Sequence, residues 1–540
     1  MRELKGIAAS PGIAVGKLHM ASFKRADAGK KTILDVEGER ERFESARARA
    51  MAQLGELAVS MTDKIGAENA LLFEIQQMML EEPDFIDSVN DLIARERVCA
   101  EYAIQAASNR LYEQFSQVED AYMRARAGDI KDAAQRVVSI LSGVPQGTEL
   151  RPAEPCIFVG NDFTPSETAQ LEPGQVLALL TKQGAPNSHT AIISRTLGIP
   201  AVVGIGDAVQ ALQEGQTAIV DGSSGQIIID PTQTQLEEYR KRLGRRQEAM
   251  IALEELKGKP NITKAGRWID VYANIGSIQD AVLAEENDAG GIGLFRSEFL
   301  FLESAQAPTE DQQFKAYRAV LERMKGKRVV VRTLDLGADK QVPYLGMNKE
   351  ENPALGCRAL RLCLDRPDIL MPQLRALFRA SVYGKLAIMF PMVISAAEVA
   401  AMKRQIETVK KALAEENQPF AGDVEIGIMI ETPAAALISD QLAREVDFFS
   451  VGTNDLTQYT LAIDRQNPKL TKFYDPYHEG VFRLIEMAAR NIHREGRWIG
   501  ICGELAADPA CTERFLNMGI DELSVSPPQI LPLRRRIREL

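Results

Sequence analysis

The chain has 540 residues, of which 45% are hydrophobic and 26% charged, and its formal net charge is −11. This length exceeds one ordinary domain, so we expect two to four domains of a soluble globular protein. The negative charge argues against nonspecific nucleic-acid binding, which needs a basic face. No stretch approaches the ~20 apolar residues of a membrane span, and residues 1–16 lack the apolar core of a signal peptide. The six cysteines are scattered, which indicates free thiols. We therefore expect a cytoplasmic protein without membrane insertion.

The first part of the chain predicts a strand followed by a helical insert. Residues 6–20 are punctuated by glycine and predict a strand and a turn. Apolar residues then recur every three or four positions, the period of an amphipathic helix, up to about Leu141. We expect helix breaks at Pro83 and Gly128, and an all-helical domain over residues 25–145.

The helical insert carries most of the negative charge of the protein. Between Asp35 and Pro145, 21 acidic and 12 basic residues give a net charge of −9. The stretch from Glu68 to Asp91 contains seven acidic residues and no Lys or Arg. A solvated face and a docking surface for a partner with a basic patch both explain such a run.

An α/β domain is predicted around this insert, from residues 1–24 and 146–232. Short β-branched and apolar runs separated by Gly, Pro and Asp predict its strands at 157–159, 176–180, 201–203, 218–220 and 227–229. A highly charged helical pattern with little apolar face follows. We interpret residues 233–260 as a linker helix, which favours relative motion of the domains that it joins.

His189 lies near a predicted helix start, because a turn containing Gly184 and Pro186 leads into small and apolar residues. Backbone N–H groups at a helix start favour an anion, and a neutral imidazole is a nucleophile near pH 7. A loop histidine that only packs would explain an isolated residue equally well. The segment resembles the phosphohistidine motif of the phosphoenolpyruvate-using enzymes, Gly-Gly-x-Thr-Ser-His-x-Ala-Ile, with Ala185 and Asn187 as departures.

This resemblance extends to two flanking segments. Residues 197–204 match the continuation of the motif, and residues 162–168 resemble the family segment beside the phosphohistidine. The resemblance implies that Thr168 hydrogen-bonds His189; without it, Thr168 is an ordinary helix-start threonine.

The C-terminal region predicts a (β/α)₈ barrel over residues 261–540. Eight strand-like runs alternate with helical ones over a length close to the ~250 residues typical of that fold. The predicted strands are 268–275, 292–295, 329–334, 387–392, 426–430, 448–451, 499–502 and 523–525.

Polar residues follow several of these strands, where barrel enzymes gather their catalytic residues. Arg296 and Arg332 have the planar guanidinium that suits phosphate and carboxylate. Each also has a simpler explanation as an ion-pair member, Arg296 with Glu298 and Arg332 with Asp335.

Two carboxylates and one thiol occupy equivalent positions after other strands. Glu431 and Asp455, which is preceded by Asn454, offer the hard oxygen ligands that Mg²⁺ prefers. Cys502 would be a packed thiol in the common case, and it must stay protonated to act as an acid.

Long motifs make the resemblance specific. The segments resemble the Enzyme I family, the phosphoenolpyruvate–protein phosphotransferases of the bacterial sugar phosphotransferase system, in order and through essentially the whole chain. Ala507, where Gly is usual, is a minor departure. The matching segments are 291–298, 332–340, 352–358, 447–459 and 502–508.

The resemblance implies the following function. Phosphoenolpyruvate binds at the barrel mouth with Mg²⁺, His189 takes its phosphoryl group, and Cys502 protonates the departing enolate to give pyruvate. The group then passes to a histidine of the carrier protein HPr, docked on the helical insert, and the barrel forms a homodimer. The substrate-binding residues so implied are Arg296, Arg332, Asn454, Asp455 and Arg465, with Arg358 in support and with Glu431 and Asp455 on the metal.

Three alternatives remain. Pyruvate phosphate dikinase and phosphoenolpyruvate synthase share this chemistry but place a large nucleotide-binding domain ahead of the histidine, and only about 155 mostly helical residues precede the main segment of the histidine domain here. A nitrogen-branch paralogue normally adds an N-terminal sensory domain. A non-catalytic regulator controlled by phosphorylation would have no use for both a nucleophile and a proton donor.

Overall fold

The computed structural model describes most of the chain as two compact units, Met1–Glu248 and Ala249–Leu540. Some predictions fall outside the described residues. They are the domain boundaries near residues 24 and 145, the motif residues Pro186 and Asn187, and the motif end at 338–340. The described residues are 2–21, 29–65, 67–116, 121–143, 154–168, 171, 174–185, 188–302, 304, 306–337, 342–348 and 350–540.

An eight-stranded mixed sheet forms the centre of the first unit, in the order β1-β8-β7-β3-β4-β5-β6-β2. β3, β4, β5 and β6 are parallel, and the remaining pairs are antiparallel. The predicted strands are all present, and the N-terminal strand belongs to the same sheet, as expected. The strands are β1 (Arg2–Lys5), β2 (Ile7–Ser10), β3 (Ile13–Met20), β4 (Cys156–Gly160), β5 (Val176–Thr181), β6 (Ala201–Val203), β7 (Thr217–Asp221) and β8 (Gln226–Ile229).

Five helices interrupt this sheet between β3 and β4, as the helical period predicts. Their apolar faces form one buried cluster that includes Phe43, Phe73 and Val137. Pro83 begins a new helix, as predicted, because it has no N–H to donate within a helix interior. The helices are α1 (Val36–Ile65), α2 (Ala67–Glu81), α3 (Pro83–Glu96), α4 (Ala100–Ser116) and α5 (Ala121–Ser142).

The helix break predicted at Gly128 is wrong, because α5 runs through this exposed residue without interruption. Glycine in a helix interior costs only about 1 kcal/mol relative to alanine. The buried residues that follow it, such as Ile130, Ala134 and Val138, pack into the helical unit and outweigh that cost.

Three further helices complete the first unit: α6 (Pro165–Thr168), α7 (His189–Thr196) and α8 (Gln233–Glu254). α8 corresponds to the predicted linker helix but ends at Glu254, before the predicted limit at residue 260. The division between the two units falls within α8.

The second unit is a closed barrel of eight parallel strands, in the order β9 to β16, as the strand pattern predicts. Most strand limits agree with the prediction within one or two residues. β12 is shorter than predicted and ends at Phe390, just before Pro391, which has no N–H for the strand ladder. The strands are β9 (Asp270–Ile275), β10 (Ile292–Arg296), β11 (Val329–Arg332), β12 (Leu386–Phe390), β13 (Glu425–Ile430), β14 (Phe448–Val451), β15 (Trp498–Ile501) and β16 (Glu522–Val525).

Twelve α-helices accompany the barrel strands in the described part of this unit. Outward-facing strand residues such as Ile292, Val331 and Ile388 pack with them in one large core. A smaller cluster, including Leu294, Val330 and Phe448, fills the barrel interior. The helices are α9 (Ile278–Glu286), α10 (Glu298–Leu302), α11 (Glu310–Arg323), α12 (Leu360–Asp365), α13 (Pro367–Ala380), α14 (Ala396–Glu415), α15 (Pro433–Leu437), α16 (Ser439–Leu442), α17 (Thr453–Leu461), α18 (Glu479–Arg494), α19 (Pro509–Met518) and α20 (Ile530–Glu539).

None of the helices within the described ranges combines the length and the apolar character needed to cross a membrane.

Candidate functional site

His189 is the first residue of α7, which confirms the predicted helix start. Ser188 is the N-cap, and its hydroxyl accepts a hydrogen bond from the Ala191 N–H at 3.4 Å. Gly184 has a φ of 120°, which a residue with a side chain rarely adopts, so a glycine is needed at this turn. The His189 ring itself lies outside the described side chains.

The segment that the resemblance puts beside His189 does contact α7. The Thr190 hydroxyl donates to the Phe163 carbonyl oxygen and to Asp162 Oδ1, both at 3.1 Å. The fully buried Thr168 donates its hydroxyl to the Thr164 carbonyl oxygen at 2.8 Å. The bond between Thr168 and His189 therefore stays a prediction, and Thr190 is a connection that the sequence did not reveal.

A cavity of about 750 Å³ opens at the carboxyl ends of the barrel strands. Barrel strands are parallel, so residues that follow different strands meet at this one end. All eight barrel residues predicted for the site line the cavity: Arg296, Arg332, Arg358, Glu431, Asn454, Asp455, Arg465 and Cys502.

Arg332 is buried between two carboxylates. Its Nη2 lies 2.5 Å from Glu298 Oε1, and its Nη1 lies 3.0 Å from Asp335 Oδ2. Burial alone would lower the pKa of Arg332, but these two carboxylates raise it well above its ordinary value. Arg332 is thus a fixed cation held in place from two sides.

Arg296 does not form the ion pair with Glu298 that was its simpler explanation, since Glu298 pairs with Arg332. At the end of β10 it is exposed to the cavity, and across the described ranges no carboxylate lies within ion-pair distance of it. An uncompensated guanidinium facing a cavity suits an anionic ligand.

Asp335 joins Arg332 to a second buried arginine. Arg358 Nη2 donates to both carboxylate oxygens of Asp335, at 2.8 and 3.0 Å, and Arg358 Nη1 lies 3.8 Å from Asp455 Oδ1. Burial opposes the charge of Arg358, yet the carboxylates of Asp335 and Asp455 raise its pKa well above the ordinary value. Asp335 therefore organises the cationic side of the cavity.

Glu431 is fully buried, and its two oxygens have different surroundings. Oε1 accepts a hydrogen bond from the backbone N–H of Met392 at 2.6 Å. Oε2 and Asp455 Oδ1 are buried without a hydrogen-bond partner among the described residues. Burial, together with the negative charges of Asp455 and Asp335, raises the pKa of Glu431 to about 8. A bound cation would relieve this repulsion and satisfy the free oxygens.

Met392 has a φ of 57°, a conformation uncommon for a residue with a side chain. This backbone turn at the end of β12 directs its N–H at Glu431. Gly452 leaves room on the other side, because a Cβ there would lie 3.0 Å from Glu431 Oε2.

Cys502 follows β15 and is 3% exposed. Its N–H donates to the Val451 carbonyl oxygen at 3.1 Å, and its own carbonyl oxygen accepts from Asn274 Nδ2 at 2.9 Å. Burial raises the pKa of the Cys502 thiol to about 12. The thiol therefore keeps its proton at neutral pH, as an acid in this position requires.

Asn454 and Arg465 complete the wall of the cavity. Asn454 Nδ2 donates to Glu504 Oε1, and the Glu504 N–H donates back to Asn454 Oδ1, both at 3.1 Å. Arg465 Nη2 lies 3.6 Å from Asp455 Oδ2.

Sequence reasoning missed four contributors to this site. Glu298 and Asp335 entered it only as ion-pair partners of arginines, and their buried bridging positions depend on the closed barrel. Glu504 lies in the matching segment 502–508 but was given no role there, and nothing in the sequence indicated the unusual backbone of Met392. Within the described part of the chain, no group of three or more His, Cys, Asp or Glu side chains is arranged to hold a metal.

Three family profiles match the chain. They are described as PEP-utilising enzyme, N-terminal, over residues 5–126, PEP-utilising enzyme, mobile domain, over residues 152–225, and PEP-utilising enzyme, PEP-binding domain, over residues 251–540. The last of these corresponds to the barrel unit.

Similar proteins match over the full length. A protein of Staphylococcus carnosus (strain TM300) named phosphoenolpyruvate-protein phosphotransferase is 41% identical over 539 residues, covering 100% of this chain and 94% of that protein. A protein of the same name from Bacillus subtilis (strain 168) is 42% identical over 540 residues, covering 100% and 95%. One from Geobacillus stearothermophilus is 42% identical over 539 residues, covering 100% and 93%.

Proposed function

The chain belongs to the phosphoenolpyruvate–protein phosphotransferase family, and from this premise we propose that His189 takes the phosphoryl group of phosphoenolpyruvate and passes it to a histidine of the carrier protein HPr. The observation that carries the proposal is the cavity at the barrel mouth, where the uncompensated Arg296, the buried Arg332, two carboxylates and a protonated thiol meet. Each of these groups has a separate task in this one reaction.

The arginines bind and orient the substrate. Arg332, fixed by Glu298 and Asp335, supplies a rigid cation, and Arg296 and Arg465 add further positive charge around the phosphate and carboxylate groups. Asn454, held by Glu504, adds an amide at the same wall. Positioning and neutralisation of charge do most of the work in phosphoryl transfer.

Glu431 and Asp455 fit a magnesium ion. Each has a buried oxygen without a hydrogen-bond partner among the described residues, and their mutual repulsion favours a cation between them. These two carboxylates would hold the ion through the hard oxygen ligands that Mg²⁺ prefers. When bound, Mg²⁺ neutralises the developing negative charge of the substrate.

Cys502 supplies the proton that completes pyruvate. When the bond between phosphorus and the bridging oxygen breaks, its electron pair stays on the enolate of pyruvate. The enolate carbon then takes the proton of the Cys502 S–H bond, leaving a thiolate. The raised pKa of Cys502 keeps the proton available until the enolate forms.

His189 has to meet phosphoenolpyruvate at one site and HPr at another. The charged helix α8 joins the two units in sequence. It packs on the sheet through Leu236 and Tyr239 near its start, whereas its later described residues are mostly exposed, which supports a swivelling motion. We assign residues 1–24 and 146–232 to the phosphohistidine domain and residues 233–260 to the linker. The lone pairs of the Thr168 hydroxyl can accept a hydrogen bond from the His189 ring, because its proton is donated to Thr164.

The acidic helical domain, residues 25–145, is the docking surface for HPr. Its net charge of −9 between residues 35 and 145 suits a basic partner. The barrel domain, residues 261–540, forms a homodimer, and the protein acts in the cytoplasm.

Labelled phosphoenolpyruvate with Mg²⁺ tests the proposal. We expect an acid-labile, base-stable label that mass spectrometry maps to His189 and that purified HPr removes. The His189→Ala variant should carry no label, whereas His478→Ala, a matched control in which the altered histidine is the N-cap of α18, should be labelled normally. Label on another residue, or label that requires ATP, would contradict the proposal; the latter would favour a dikinase.

A further inference from the structure

A further acidic side chain, Glu522, is buried inside the barrel below the cavity. It is the first residue of β16, is 1% exposed, and has neither carboxylate oxygen hydrogen-bonded to a partner among the described residues. Buried polar groups are nearly always satisfied, so an unsatisfied buried carboxyl calls for an explanation.

Two glycines make the space that this carboxyl group occupies. A Cβ on Gly500 would lie 1.8 Å from Glu522 Oε2, and a Cβ on Gly293 would lie 2.1 Å from Glu522 Oε1. The same Cβ on Gly293 would lie 2.5 Å from Ser524 Oγ, so the hydroxyl of Ser524 and the carboxyl of Glu522 share one pocket. The carboxyl is thus built into the barrel interior.

Cys502 lies directly above this pocket. Gly500 of β15 pairs with Glu522 of β16 in the strand register. Cys502 comes two residues after Gly500, so its side chain is the next one to face inward, about 6.6 Å further along the strand direction. The two groups are close enough for the charge of Glu522 to raise the pKa of the Cys502 thiol. Ser524 and Ser450 flank the two groups. Neither Oγ atom meets the full geometry of a hydrogen bond to a described residue, but Ser450 lies close enough to Cys502, and Ser524 close enough to Glu522, to lower the pKa of that neighbour.

The charges around Glu522 favour its protonated form. Burial raises its pKa well above the ordinary value, and the carboxylates of Asp270 and Asp521 raise it further. Arg328 opposes them, but its guanidinium is shared with Glu425, 2.9 Å away. These surroundings favour the protonated form of Glu522, which is the form that a proton donor needs.

We propose that Glu522 is the proton donor that recharges Cys502 after each turnover, through the hydroxyl of Ser524 or Ser450. This inference rests on the proposed role of Cys502 as the acid. The Glu522 O–H bond breaks, the hydroxyl passes a proton on, and the Cys502 S–H bond forms, which leaves a carboxylate at Glu522. Solvent at the amino-terminal end of the barrel, near the partly exposed Asp270, returns the proton to Glu522.

The Glu522→Gln variant separates this role from a purely structural one. The amide has the size of the protonated carboxyl and no charge, but it cannot release a proton at neutral pH. We expect rapid-quench kinetics with phosphoenolpyruvate, Mg²⁺ and excess HPr to show a burst of one pyruvate per chain at the wild-type rate, followed by turnover slowed about tenfold or more. The slow phase should carry a larger solvent deuterium isotope effect than the burst.

Two companion variants make the test complete. Ser524→Ala should show the same burst, followed by turnover that is slowed less than in Glu522→Gln, because Ser450 or a water can replace the hydroxyl. Asp423→Asn, a change of an exposed acidic residue at the same end of the barrel, should give linear kinetics, like the wild type.

Linear pyruvate release by Glu522→Gln would overturn the inference, whether at the wild-type rate or uniformly slowed, because the thiol would then regain its proton from the cavity side. If the wild-type protein forms no pyruvate from phosphoenolpyruvate, the proposed function fails first, and the inference fails with it. Thermal unfolding of each variant checks that its barrel is folded.

Discussion

The thiol of Cys502 should resist alkylation to an extent that follows from its surroundings. Iodoacetamide reacts with the thiolate, and burial raises the pKa of Cys502 from 9.0 to about 12. At pH 8 the thiolate fraction is therefore about 10⁻⁴ in the folded protein and about 10⁻¹ in the unfolded chain, a ratio of about a thousandfold. Only 3% of Cys502 is exposed, so access of the reagent to its sulfur is hindered as well.

Mass-spectrometric mapping of alkylation over time measures this protection. The rate at Cys502 in folded protein should be lower than in urea by about a thousandfold or more, and it should rise about tenfold per pH unit from pH 7 to 10. Cys357, which is half-buried, serves as the internal control and should react earlier.

Alkylation of native Cys502 within about tenfold of its rate in urea would refute the reasoning. So would a plateau of the rate below pH 9, because it would mean that the thiol titrates at an ordinary pKa. Either result would remove the physical basis for Cys502 as a proton donor, since a thiolate at neutral pH has no proton to give.

Three further predictions concern the barrel. Asp335→Asn breaks a buried ion pair with two arginines, so urea denaturation should show a loss of about 3 kcal/mol in the free energy of unfolding, and a loss within error of zero would contradict the structure. Gly452→Ala puts a Cβ 3.0 Å from Glu431 Oε2, so calorimetry should show Mg²⁺ affinity weakened by about tenfold, and unchanged affinity would argue against Glu431 as a ligand. Glu522 should make stability fall with rising pH above about 4.5, by up to about 1.4 kcal/mol per unit, because the unfolded chain releases this proton at a lower pH than the folded protein; Glu431, with a pKa of about 8, adds a fall of the same sign. Glu522→Gln should remove this contribution and be more stable than the wild type at pH 8; identical pH profiles would contradict it.

The strand pattern predicted the barrel closely because its strands are short apolar runs with clear ends. The polar residues after those runs then had to converge, and Arg296, Arg332, Glu431, Asp455 and Cys502 do line one cavity. The simple inference from strand ends was sufficient because parallel strands share one carboxyl end.

Local pattern failed where packing outweighs it. Gly128 has the low helix propensity that predicted a break, yet the buried residues after it keep α5 continuous. Met392 has no feature that marks a left-handed backbone, and only the position of Glu431 explains why its N–H turns inward.

Residue order alone was enough to establish the fold class, the helix start at His189 and the identity of the residues that meet at the barrel mouth, because periodicity and strand ends are local properties. The closed barrel decided the rest: that Glu298 pairs with Arg332 and leaves Arg296 uncompensated, and that Glu522 lies unpaired below Cys502. Ion pairing and proton affinity depend on distances across strands and on exclusion of water, and these arise only when the chain has folded.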